Sequence, residues 1–193
     1  MSVFETLVQE YKSNDSVAQL FGVVLYTDEH PNLKKVLRDD DYWLALNEVT
    51  GNDFAVFSIR PKKGGHSMPK SPMGSMGMMV PIWVEPKENQ EIIKIFELED
   101  TRKLPLLLLF AEINGSYVSI QLPLKDSSVD VAYNSIREQL ECSCRAISAV
   151  RRENYNNPRG LYAALSLHYD DKFKWSFLVA GLGVYKYLKD LVP

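Results

Sequence analysis

The chain of 193 residues is 46% hydrophobic and 24% charged, the balance of an ordinary globular domain rather than of a disordered or fibrous chain. Its formal charge of −3 supplies no general attraction to nucleic acid or to an anionic membrane. Two cysteines, Cys142 and Cys144, call for no disulfide scaffold, and the opening residues MSVFETLVQEYKSND lack the basic start and long apolar core of a secretory signal, so the expectation is a cytoplasmic protein with reduced thiols.

Residues 2–12 set Val3, Phe4, Leu7, Val8 and Tyr11 at helical spacing, and Ser13-Asn14-Asp15 ends that segment. Val17 to Tyr26 (VAQLFGVVLY) is nearly free of charge and rich in β-branched and aromatic residues, which predicts a strand covered on both faces. The polar loop Thr27-Asp28-Glu29-His30-Pro31-Asn32 follows, with Pro31 placed to open a helix. Leu33 to Val49 predicts two helical pieces with an aspartate cap from Asp39-Asp40-Asp41 between them. Asp53 to Arg60 (DFAVFSIR) alternates as a second strand.

Residues 61–86 hold five of the ten prolines, four of the ten glycines and five of the six methionines, the composition of a long loop insertion. Glu88 to Leu98 places Ile92, Ile93 and Phe96 on one helical face. Leu106 to Glu112 is an apolar strand headed by Pro105, Asn114-Gly115 is a strong hairpin signal, and Tyr117 to Leu122 returns. Ser127 or Ser128 caps a long helix reaching toward Val150, and the tail from Asn156 adds two helices. The stretch Trp175 to Tyr185 is well short of the ~20 apolar residues of a membrane span.

The order β-α-β-α-β-β-α makes an α/β mixed sheet with helices on both faces. Together with "IIKIFELEDTRKLPLLLLFAEINGSYVSIQL", a helix, a linker, an X-Pro pair, an apolar strand, a turn and a return strand, it resembles the thioredoxin-like superfamily. The resemblance covers roughly residues 17–150 and puts Pro105 at the family's cis-proline position; a trans proline at a strand entrance is the plain alternative. It implies a thioredoxin-like domain over residues 1–155, with the insertion 61–86, and a helical C-terminal extension over 156–193 packed on the same domain.

The same resemblance marks a departure. Redox-active members carry Cys-X-X-Cys at the helix N-terminus after the first strand, where the thiol pKa is lowered. Here that place reads Thr27-Asp28-Glu29-His30, so disulfide exchange at the usual site is excluded. The acidic residues of the loop are read as solvated groups that favour the following helix N-terminus. No spacing assembles a catalytic group, a metal site or a cofactor motif.

The expected role is therefore non-catalytic: a protein-binding or assembly module, joined to a protein partner or to further copies of itself, with no nucleic acid and no membrane span. Its binding residues are Leu104 and Pro105 on one wall and Thr27, Asp28, Glu29 and His30 on the other. Trp83 or the methionines Met68, Met73, Met76, Met78 and Met79 supply apolar contacts, and Lys62, Lys63, Lys70 and His66 add positive charge. Two alternatives stand beside it. One is a thiol-dependent redox enzyme or sensor using Cys142 or Cys144, which otherwise read as small core or boundary residues. The other is a structural subunit docking through its aromatic C-terminal tail.

Overall fold

The computed structural model of the protein describes residues 19–51, 54–68, 81–150 and 157–170. The predicted helix over 2–12, all the methionines of the insertion except Met68, and the second tail helix lie outside them.

The described residues form a mixed α/β structure with one four-stranded sheet and five helices. In chain order, β1 (Phe21–Leu25) leads to α1 (Pro31–Val36) and α2 (Asp40–Thr50), then β2 (Ala55–Ile59). A short pair, β3 (Gly65–Ser67) and β4 (Ile82–Val84), precedes α3 (Gln90–Ile95). β5 (Leu106–Ile113) and β6 (Ser116–Pro123) then form a hairpin, followed by α4 (Val129–Ser148) and α5 (Pro158–Asp170). The sheet order is β2-β1-β5-β6: β1 pairs parallel with β2 and antiparallel with β5, and β6 returns antiparallel on β5.

The two interior strands are the two unbroken apolar runs, because each is flanked by a neighbour on both edges and covered on both faces. Their alternation splits the core. Leu20, Val24, Tyr26, Leu107, Leu109 and Ala111 face a layer made by α1, α2, α4 and α5. Phe21, Val23, Leu25, Leu106, Leu108 and Phe110 face Phe96, Leu98 and Leu104, with Ile92 and Ile93 of α3 packed against them. Leu161, Leu165 and Tyr169 of α5 join the first of these clusters.

Local signals act where they were placed. Asp39 caps α2, its side chain accepting from the Asp41 and Tyr42 amides at 3.2 and 3.3 Å, and Ser128 caps α4 through the Val131 amide at 3.2 Å. Asn114 and Gly115 take φ of 55° and 77°, the paired positive values of a tight two-residue hairpin. The Leu104–Pro105 peptide bond is cis.

Three expectations are corrected. The acidic groups of the Thr27–His30 loop do not serve the N-terminus of α1; Asp126, 93 residues further on, accepts from the Leu33 amide at 2.6 Å while its carbonyl takes Asn32 Nδ2 at 2.6 Å. A carboxylate already bound by lysine or arginine is not free to turn to the helix. Asp126→Ala leaves that donor unpaired and is expected to cost about 1–2 kcal/mol, read as a lower urea midpoint. Second, the insertion is not only loop: β3 and β4 pair antiparallel, Gly65 with Val84, His66 with Trp83 and Ser67 with Ile82. The third correction is the length of α3, because a 3₁₀ turn over Lys87–Asn89 precedes it and Glu97 at φ 52° ends it, the Leu98 amide reaching back to the Ile93 carbonyl at 2.9 Å.

Candidate functional site

The turn after β1 is held by Thr27. The His30 amide donates to the Thr27 carbonyl (3.1 Å) and the Glu29 amide to Thr27 Oγ1 (3.3 Å). The His30 ring folds back until Nδ1 lies 3.1 Å from both the Thr27 amide and Oγ1. An Nδ1 that accepts a backbone N–H leaves the ring proton on Nε2, so His30 presents an N–H donor in this arrangement.

Asp28 and Glu29 are taken up by cations. Asp28 Oδ1 lies 2.7 Å from Lys34 Nζ and 3.2 Å from Arg60 Nη1, and Glu29 Oε1 lies 2.5 Å from Lys63 Nζ. Lys34, and after it Arg60, holds the Asp28 carboxyl below its ordinary range; Lys63 does the same for Glu29. Both carboxyls therefore stay ionised and committed, not poised to trade a proton.

The opposite wall is the 3₁₀ turn Thr101–Lys103 with Leu104. Buried Asp100 caps it, accepting from the Arg102 amide at 2.8 Å and from Arg102 Nε at 2.6 Å. This pins the guanidinium, whose carbon stands 5.6 Å from the centre of the Trp83 ring, a cation–π distance.

Trp83 closes the site from the ribbon. Its indole lies across Gly64 so closely that a Cβ there would collide with the six-membered ring, and His66 meets it edge-on at 5.2 Å. Glu85 fixes the indole: its Oε2 accepts from Trp83 Nε1 (3.1 Å), the Thr101 amide (3.0 Å) and Thr101 Oγ1 (3.1 Å), while Oε1 accepts from Asn89 Nδ2. Asn89, 2% exposed, in turn grips Lys62 on both sides, accepting from its amide (2.9 Å) and donating to its carbonyl (2.6 Å). Burial works to raise the Glu85 carboxyl, but the bonds from Asn89, Thr101 and Trp83 outweigh it and hold the group below its ordinary range.

These walls enclose a cleft of about 210 Å³. Thr27, Glu29, His30, Trp83 and Leu104 of the expected binding residues line it, joined by Lys63, Gly64, His66, Thr101 and Arg102. Asp28 and Pro105 do not line it. Asp28 is turned to Lys34 and Arg60, and the Pro105 carbonyl accepts from the Leu124 amide at 3.0 Å at the start of β5. Of the methionines only Met68 is described, and it is 59% exposed. The organising residues Glu85, Asn89, Thr101 and Arg102 carry no periodic signal; the one local hint is Asp100, whose side chain capping an amide two residues on is a familiar turn motif.

Chemically the cleft offers N–H donors, an indole and a leucine. The Thr27 hydroxyl is spent in its own turn and Thr27 is 3% exposed. Among the described residues no group of three His, Cys, Asp or Glu side chains is placed to hold a metal ion, and no helix is long and apolar enough to cross a membrane. Compared with protein-family models, with curated proteins and with solved structures, the chain matches none.

Proposed function

We propose that this chain is a thioredoxin-like protein without the family's thiols, acting as a non-catalytic protein-binding or assembly module. Three observations support the fold reading: the order β2-β1-β5-β6, one parallel pair followed by two antiparallel ones, and helices on both faces. The observation that carries the function is the convergence of the Thr27–His30 turn, Leu104 and Trp83 on one cleft, although they are separated by as many as 77 residues in sequence.

Binding follows from the groups present. At about 210 Å³ the cleft is smaller than the roughly 300–1,000 Å³ of small-molecule pockets, and it fits one or two side chains of an extended segment better than a whole ligand. The Leu104 amide already donates to the Thr101 carbonyl at 3.3 Å, so backbone recognition there falls to the Leu104 carbonyl, with His30 Nε2–H as a donor across the cleft. An apolar or aromatic side chain of the partner packs on Trp83, the kind of rigid aromatic anchor that dominates interface energetics. Ile82 and Val84, the neighbours of Trp83 on β4, are 57% and 50% exposed and extend the apolar surface beyond the cleft.

The test uses peptides selected from a displayed random library on the purified chain. Trp83→Ala is expected to weaken the selected peptides at least tenfold, about 1.4 kcal/mol or more, when binding is measured under conditions where circular dichroism shows both chains folded. Equal affinity for the two chains would refute the role given to Trp83.

A further inference from the structure

We propose that Cys142 and His168 form a nucleophilic thiol site that takes small disulfides and stores the product as a mixed disulfide on α4. This site shares no residue with the cleft. Cys142 Sγ lies 3.0 Å from His168 Nε2, thiol and base meeting across the α4–α5 contact from positions 26 residues apart.

The contact is placed by its neighbours. One residue further along each helix, buried Ser143 and Tyr169 join through Oγ and the phenol oxygen at 3.0 Å, and both reach the Gln139 carbonyl, at 2.7 and 3.0 Å. Burial raises the Tyr169 phenol well above its ordinary range, so it remains a protonated donor in this clamp. The His168 ring stands perpendicular to that of Tyr169, with centroids 5.7 Å apart. A buried polar clamp thus sets the register of α5 on α4, and the same register brings imidazole to thiol at the rim, where Cys142 is half-buried and His168 exposed.

Cys144 is the internal contrast. Two residues further along the helix its side chain lies about 200° around the axis, and its Sγ meets the Val49 carbonyl at 3.5 Å. That angle also prevents Cys144 from reaching back to Cys142 while α4 stands, so an adduct on Cys142 has no neighbouring thiol to resolve it. A persistent mark, rather than turnover, is the consequence. Two ligands alone make a poor metal site, and no third His, Cys, Asp or Glu completes one among the described residues.

The step balances without a further reagent. The Cys142 proton passes to His168 Nε2, and the thiolate attacks one sulfur of the disulfide. One S–S bond forms to Cys142 as the original S–S bond breaks. The departing thiolate takes the proton from His168 and leaves as a thiol: Cys142 is oxidised, and half of the small disulfide is reduced.

The experiment treats the native chain with limiting iodoacetamide and, separately, with oxidised glutathione, and assigns the modified cysteine by fragment-ion mass spectrometry. The expected result is alkylation of Cys142 at least ten times faster than of Cys144, a glutathione mixed disulfide on Cys142, and at least a tenfold slower Cys142 reaction in a folded His168→Gln chain. Equal rates for the two cysteines in the unaltered chain, absence of the glutathione adduct on Cys142, or an unchanged rate in folded His168→Gln would each overturn the proposal. The comparison within the unaltered chain decides the matter even where the substitution disturbs α5.

Discussion

Phe110→Ala is expected to destabilise the protein by about 3–5 kcal/mol, a large share of the roughly 5–15 kcal/mol that holds a domain of this kind folded. Phe110 is fully buried at the centre of β5, on the sheet face that α3 covers. Its ring stacks on Phe21 at 5.4 Å and meets Phe96 at 5.2 Å and Tyr117 at 5.8 Å edge-on, so one side chain joins β1, the end of α3 and β6. Truncation removes the transfer free energy of the ring and leaves a cavity whose aromatic walls cannot all collapse inward. Urea unfolding should show a much lower midpoint, and Phe110→Leu, which keeps much of the volume, should show a smaller loss. A loss below about 1 kcal/mol for the alanine chain would contradict this packing.

Glu85→Ala is expected to cost about 2–3 kcal/mol and to free Trp83 from the cleft. The carboxylate serves four donors, and the partners it would abandon include Asn89 and Thr101, at 2% and 7% exposure, where water cannot readily replace it. Glu85→Gln is not a neutral replacement. One amide oxygen can serve Thr101 and Trp83, but the NH₂ group then faces the Asn89 NH₂, and Asn89 cannot turn over because Lys62 holds both of its polar ends.

The pH dependence follows from the depressed carboxyl. In the unfolded chain Glu85 titrates near 4.5, and in the folded chain lower. Its contribution is therefore complete above about pH 4.5 and is lost as pH falls through the folded value. The stability gap between the unaltered chain and Glu85→Gln should be level from pH 7 to pH 5 and shrink below 4.5. A gap that widens on acidification would reverse the sign and contradict the network.

Most of the sheet was legible because its signals are local. The two uncharged runs around Val23 and Leu108 became the interior strands, Asn114-Gly115 the hairpin, and Asp39 and Ser128 the caps, each depending on neighbours within four residues. The β3–β4 ribbon was not legible: Gly65-His66-Ser67 has little strand preference, and its pairing depends on Trp83 lying over Gly64, 19 residues away in sequence. Five of the ten cleft-lining residues, Thr27, Glu29, His30, Trp83 and Leu104, were expected from the sequence. The network that organises them could not be read, since Glu85, Asn89, Thr101 and Arg102 act through side-chain contacts that leave no period or composition. Asp126 at the start of α1 was invisible for the same reason, a long-range bond taking a place expected of nearby acids. The Cys142–His168 contact likewise needed the register of two helices.

We expect the protein to take its partner in the cleft between the Thr27–His30 turn, Trp83 and Leu104. Titrating the ¹⁵N-labelled chain with a library-selected peptide and following amide shifts tests it most directly. The largest shifts are expected on Thr27 to His30, Lys63 to His66, Trp83 and Thr101 to Leu104, with α4 and α5 little moved. Shifts centred on α4 and α5, or on the outer edge of β6, would contradict it, and so would a chain that selects no peptide at all.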